Sequence, residues 1–461
     1  MKNNIQFVAR FAGGVARVIS DRSVRPARLI QGSIYLFLLI IGCTAAAIGQ
    51  ALPAAEASPI STGFALPTTA GTLQYSISAS ESLSWGYYGT GGAASASNVT
   101  GNLGYISNSK RDPFSAVFSG GRSLSTSGQP SYSYLNLGVS QVISAGHWGF
   151  VFSDSVSYMP GTPVAGLSGV AGTGDLGLNP IQVGPATGQG VLTNFSSRVA
   201  NTVAGTIQRQ LTGRTSINAS GSYGLARFLS STGGANSLGL DSDSETASGG
   251  VSHQFNVRNS LGVNYGYSTY SFLGTNSGIA SPGFTSQTAS VQFSHQFTRK
   301  LGLSASGGPQ FTKINSSGSS STSLFADVSA SWAGQFSHVS ASYVRSTNSG
   351  YGVIGGAISN GVQFAASHTF ARVWSTSGTS SFTQSSSLPG AGASPYTFHT
   401  TLVGGQVSRA IARSLSAYGS YTLENQSSQG TAALGNVYTG LSQVLGFGVT
   451  FSPTSIHVGR P

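Results

Sequence analysis

The residues of this chain that can hold a metal or move a proton are few: seven histidines, eleven carboxylates and one cysteine among 461 residues. Three of the histidines share one setting, SHQF at 252–255, SHQF again at 294–297 and SHTF at 367–370. Imidazoles in such a repeat act as ligands or bases if the copies converge, and mark a structural position if they do not. Convergence on a metal needs ring nitrogens within about 2 Å of one ion. His253, His295 and His368 lie 42 and 73 residues apart, each two positions before a phenylalanine, so the structural reading is preferred. No Ser/His/Asp set, HExxH motif or cysteine pair can be assembled. The glycine-rich GVAGTG at 169–174 is followed by neither Lys-Ser/Thr nor a helix start, as a phosphate loop requires. The chain reads as a non-enzyme without catalytic, cofactor or metal site.

Composition narrows the elements that position these residues. Charged residues make up 7%, aromatics 10%, and 64 residues are glycine, whereas about a quarter of a soluble domain is charged. Regularly placed aromatics argue against disorder, leaving secreted β-repeats and transmembrane β-barrels. At the N-terminus Lys2, Arg10, Arg17, Arg22, Arg25 and Arg28 precede the apolar run IYLFLLIIGCTAAAIG and small residues ending at Ala51, so residues 1–51 are expected to be a cleaved signal peptide. Cys43 lies inside it, and IIGC leaves both removal and lipidation open. Cleavage removes six of the 22 basic and one of the 11 acidic residues, lowering the net charge from +11 to +6. That basicity is an export address and implies no nucleic-acid partner. No later run of about 18 apolar residues exists, so no spanning helix is expected.

Beyond the signal the pattern has period two. Leu73, Tyr75, Ile77, Ala79, Leu83, Trp85 and Tyr87 interleave with Gln74, Ser76, Ser78, Ser80, Ser82 and Ser84, giving one apolar and one polar face. Similar runs start near Trp148, Ile217, Val291, Leu324 and Leu441. Each is long enough to cross a bilayer as a tilted strand of roughly 9–11 residues. Short, often basic turns such as SAG at 144–146, LTGR at 211–214 and TRK at 298–300 alternate with longer Gly/Ser/Asn loops. Eight short turns and nine long loops require about 18 strands.

Signal, near-continuous alternation and alternating connections together resemble Gram-negative outer-membrane β-barrels of the porin-like type, with short periplasmic turns and long extracellular loops. The resemblance covers residues 72–451 and points to no named porin family. It implies an all-β, transmembrane, antiparallel up-and-down barrel. Residues 52–71 are then a periplasmic extension and 452–461 a periplasmic tail. GFGVTF at 446–451 is similar to the family's assembly signal at Gly446, Val449 and Phe451, which implies the barrel-assembly machinery as a partner. Val444, where a polar residue is usual, and the tail after Phe451 depart from that pattern. Closure is also demanded independently, because lipid offers no partner to an open sheet edge.

Charged residues inside strands are the remaining candidates, being costly at membrane depth. Asp327, Arg198 and Glu424 fall on polar faces and are pore-lining candidates. Asp175 joins them as the only charge of the loop at 160–192, whose place is similar to that of the porin loop that narrows the channel. Arg122, Arg227, Lys313 and Arg345 fall on apolar faces near the long loops, where lipopolysaccharide phosphates are potential partners. Glu81 and Asp154 share faces with aromatics; either those strands turn inward or each carboxylate meets a neighbour or a protein contact. The expected function is a passive, weakly selective outer-membrane channel for small neutral or sugar-like solutes, with polysaccharide export a variant. The alternative is a plugged structural or surface-interaction barrel. Neither solute nor oligomeric state is legible.

Overall fold

The computed structural model describes residues 71–86, 93–109, 111–125, 131–159, 197–229, 241–273, 283–315, 317–350, 355–371, 373–389, 396–429 and 439–458. The expected signal peptide with Cys43, nearly all of the 52–71 extension, and the 160–192 loop with Asp175 lie outside the described residues. No described helix is long and apolar enough to cross a membrane.

Eighteen long strands follow one another: β1 (Gly71–Trp85), β2 (Ala94–Ser107), β3 (Phe114–Ser125), β4 (Tyr132–Ala145), β5 (Trp148–Met159), β6 (Ser197–Gln210), β7 (Thr215–Leu229), β8 (Asp241–Asn256), β9 (Asn259–Leu273), β10 (Phe284–Gln296), β11 (Leu301–Ile314), β12 (Ser320–Ala333), β13 (Ser337–Asn348), β14 (Ala357–Phe370), β15 (Trp374–Ser387), β16 (Thr397–Ala412), β17 (Leu415–Gln429) and β18 (Gly440–Phe451). Each pairs antiparallel with the next, and β1 also pairs with β18 from Ile77↔Phe451 to Trp85↔Gln443, which closes the barrel. Short β19 (Ile456–Val458) pairs with Gly71–Leu73 of β1, below the end of β18. Part of the 452–461 tail is thus a strand that covers the edge left where β1 outruns β18.

Residues directly opposite across a ladder share a face, so the register fixes inside and outside. On β1, Ile77, Ala79 and Leu83 point outward with Phe451, Val449 and Leu445 of β18, while Ser78 points inward with Thr100 and Thr450. Exposure follows: Ile77 is 53% and Phe447 55% exposed, whereas Ser76, Ser115 and Ser442 are buried. This inverts the arrangement of a soluble protein and suits a wall whose outer solvent is lipid.

The turn between β4 and β5 uses ordinary hairpin chemistry. Gly146, with φ of 63°, is the first central residue of the two-residue connection between β4 and β5, a position where β-carbons are disfavoured. The three repeated histidines sit at this rim, all on the outer face. His253 stands opposite Thr215, the first residue of β7; His295 opposite Asn259, the first of β9; and His368 opposite Ser337, the first of β13. Each Nδ1 hydrogen-bonds with that partner's side chain, at 2.9, 2.5 and 2.6 Å respectively. Each ring also meets the phenylalanine two positions on, at 5.0, 4.3 and 6.0 Å between centroids. The motif fastens the start of one strand to the end of the next.

At the closing seam the inner face is tightly fitted. The Tyr418 ring of β17 crosses Gly448 of β18, where a β-carbon would stand 2.5 Å from the ring and 2.7 Å from Ser80 of β1. Folded barrel should migrate apart from boiled protein on a detergent gel. Gly448→Val should lose the folded band at lower temperature than wild type, since overpacking costs about 1–3 kcal/mol; an unchanged melting point would remove the seam's dependence on this glycine.

Candidate functional site

The inner wall is built from hydroxyls. Pairs Ser216–Ser252, Ser220–Ser248, Ser222–Thr246, Ser260–Ser294, Ser304–Ser329 and Ser375–Ser408 bridge neighbouring strands at 2.6–2.8 Å. At the short-turn end of β8–β12 a cavity of about 320 Å³ is lined by Ser260, Ser294, Gln296, Ser304, Ser329 and Ser331 among others. Of the described strand charges, Arg198, Asp327 and Glu424 face inward. Asp327 lies opposite Ser306 and Val344 and is half-buried. Glu424 is buried between Leu402 and Ser442. Arg198 is half-buried at the long-loop end, opposite Phe228. The three belong to β6, β12 and β17 and do not form one cluster.

The long-loop mouth is narrowed by an element that the alternation does not announce. β12 stays paired with β11 up to Lys313↔Ser320, and β13 with β14 up to Asn348↔Ala357, yet β12 and β13 separate beyond Ala326↔Arg345. The end of the β13–β14 hairpin therefore leaves the wall. Thr347 Oγ1 donates to Gln310 Oε1 on the inner face of β11 at 3.0 Å, reaching past β12. Ile358 packs against a buried cluster of Phe284, Ile314 and Leu388, which also includes the inward-facing Tyr270 and Phe272. Gly356, with φ of 101°, approaches so closely that a β-carbon would meet Leu388 and Phe284 below 3 Å. Burying Phe284 fully is worth about 1.5–3 kcal/mol, enough to seat the hairpin on the inner wall of β9–β11.

Arg345 holds the point of departure. Its Nε–H donates to the Leu324 carbonyl that β13 no longer covers, at 3.1 Å, and its Nη1 donates to Asn360 at 2.9 Å. Arg227 pairs with Asp243 at 2.6 Å and also donates to the Ser242 carbonyl. Both side chains are therefore engaged within the protein. Arg122 and Lys313 are exposed on the outer face, without a side-chain hydrogen bond among the described residues. Glu81 and Asp154 do face outward, and each meets a cross-strand neighbour: Ser97 donates to Glu81 at 2.6 Å, and Asn201 to Asp154 at 2.7 Å. The register thus decides between the alternatives left by the sequence. Of the assembly-signal residues, Val449 and Phe451 point outward, and Gly446 lies on the inner face opposite Ser82 and Ser420. No group of three metal-ligating side chains lies together among the described residues.

A closed eighteen-strand wall, apolar outside and hydroxyl-lined inside, defines a membrane-spanning β-barrel of porin-like architecture. No family profile and no curated protein match the chain. Among solved structures it is similar to Acinetobacter baumannii OccAB4, at 8% identity and a TM-score of 0.43 over 85% of this chain and 99% of that one. Pseudomonas aeruginosa OccK2 (OpdF) aligns at 11% and 0.42 over 82% and 98%, and OpdQ of the same organism at 10% and 0.40 over 84% and 99%.

The outer carboxylates give a direct test of the register. Asn201→Leu leaves Asp154 without its side-chain donor in lipid and should destabilise the barrel by about 1–3 kcal/mol. Asp154→Leu combined with Asn201→Leu should restore most of that loss, read as the temperature at which the folded gel band disappears. If the double variant is no more stable than the single one, Asp154 does not face lipid.

Proposed function

We propose that the barrel is a passive, weakly selective channel for small neutral, sugar-like solutes. The supporting observation is the inner wall, whose paired hydroxyls offer donors and acceptors around the lumen while only three described strand charges face inward. Eighteen strands enclose a width that small side chains do not fill. Hydroxyl-lined walls exchange hydrogen bonds with a polyol without holding it, because such bonds replace those to water at little net gain. Passage of a polysaccharide chain fits the same chemistry.

A plugged barrel is the second reading, supported by the hairpin seated in the mouth. Conductance in planar bilayers separates the two. Discrete open steps from correctly folded protein favour the channel, and lasting silence favours the plug. On the channel reading, Phe284→Ala should raise single-channel conductance by loosening the seat of the β13–β14 hairpin. Asp327→Asn should move the reversal potential in a salt gradient away from cation preference, since among the described strand residues Asp327 is the acidic group of the inner wall that remains half-exposed.

Outside the wall, lipopolysaccharide is the partner proposed for Arg122 and Lys313, both exposed near the long loops. Replacing both with glutamine should lower lipopolysaccharide retention during purification. The outward Val449 and Phe451 support the proposed docking of the last strand on assembly machinery.

A further inference from the structure

Two places on the outer face are built alike. Trp148 opens β5 opposite Arg209 of β6, and Trp374 opens β15 opposite Arg409 of β16. In each, the guanidinium lies over the indole, at 4.9 Å and 5.2 Å from the ring centroid. In each, the residue after the arginine donates its backbone N–H to the carbonyl just before the tryptophan: Gln210 to His147 at 3.0 Å, and Ala410 to Val373 at 2.8 Å. A second aromatic continues each stack, Phe150 beside Trp148 and Phe370 beside Trp374. The two sites belong to opposite sides of the barrel, ten strands apart in its order.

Neither arginine has a carboxylate partner among the described residues, where the ion pairs are Arg111–Asp112 and Arg227–Asp243. Both are exposed. With one face of the guanidinium covered by indole, its in-plane N–H groups remain free to donate in the fork geometry that suits a phosphate. Towards mid-membrane the outer surface is apolar, with Ile207 and Val407 42% and 44% exposed. A ligand seated here must carry an anionic head and long apolar chains. Tryptophan at the membrane interface fixes the depth, and the partial desolvation there strengthens the cation–π contact. The other basic residues of the rim, among them Arg214, Arg258, Arg299 and Lys300, raise the local concentration of anions but lack a tryptophan beneath them.

We propose that each Arg–Trp pair is a binding seat for the phosphate of an anionic glycerophospholipid in the leaflet at the short-turn rim. The test is native mass spectrometry of the full barrel taken from vesicles of phosphatidylcholine with a minor fraction of phosphatidylglycerol. Wild type should retain phosphatidylglycerol at both seats in preference to phosphatidylcholine. Arg209→Gln or Arg409→Gln should each lose one bound lipid, and the double variant both, while Arg299→Gln loses none. Excess inorganic phosphate should displace neither lipid. Equal retention by wild type and the double variant, equal loss in Arg299→Gln, or displacement by phosphate alone overturns the proposal. Folded mobility on an unboiled gel checks each variant. If an arginine variant fails that check, Trp148→Phe and Trp374→Phe serve instead, each expected to weaken retention at its own seat.

Discussion

Every peptide group of a strand in lipid needs a partner from the chain itself, because the hydrocarbon offers none. The pairing of β1 with β18 is therefore the constraint on which the other features rest. Without it, two rows of backbone donors and acceptors would face hydrocarbon, each unpaired group costing several kcal/mol. The seam is reinforced in proportion: Tyr418 lies over Gly448, and β19 covers the stretch of β1 that β18 does not reach.

Closure also explains which charges are tolerated. A barrel has two solvents, and on the outer wall Asp154 and Asp243 each meet a side-chain donor from a neighbouring strand, Asn201 and Arg227 respectively. Inside, hydroxyl pairs satisfy one another across strands and need no ions. Much of the wall's polar pairing is thus met with few charges, although the buried hydroxyls of Ser115, Thr312 and Ser442 lack a protein partner among the described residues, and the composition is correspondingly rich in serine and poor in lysine and glutamate.

The fold was largely legible because period-two alternation depends on neighbours in sequence. Ser76 and Ile77 declare opposite faces wherever β2 and β18 lie, and the count of turns yields the strand number. The repeated SHQF was legible as a position, though not its cause, since Thr215, Asn259 and Ser337 are found only through the register. Partners across strands were not legible at all. Nothing near Glu81 points to Ser97, and nothing near Thr347 points to Gln310, 37 residues away. The seated hairpin escaped for a related reason: β13 and β14 keep their alternation while they leave the wall, so their sequence looks like that of any other pair. Its only local signs are the glycines at 355 and 356, a pair that loops also carry.

The separation of β12 from β13 has a consequence for the surrounding membrane. Among the described residues, 320–325 of β12 have a strand neighbour on the β11 side only, so the carbonyls and amides of their other edge, apart from the Leu324 carbonyl that Arg345 covers, look to water or side chains for partners. Hydrocarbon cannot rise as far along that stretch as it does around the rest of the wall. The bilayer meets this barrel along an uneven waterline, dipping where the hairpin turns inward, and a lipid passing that notch must thin or tilt to follow it.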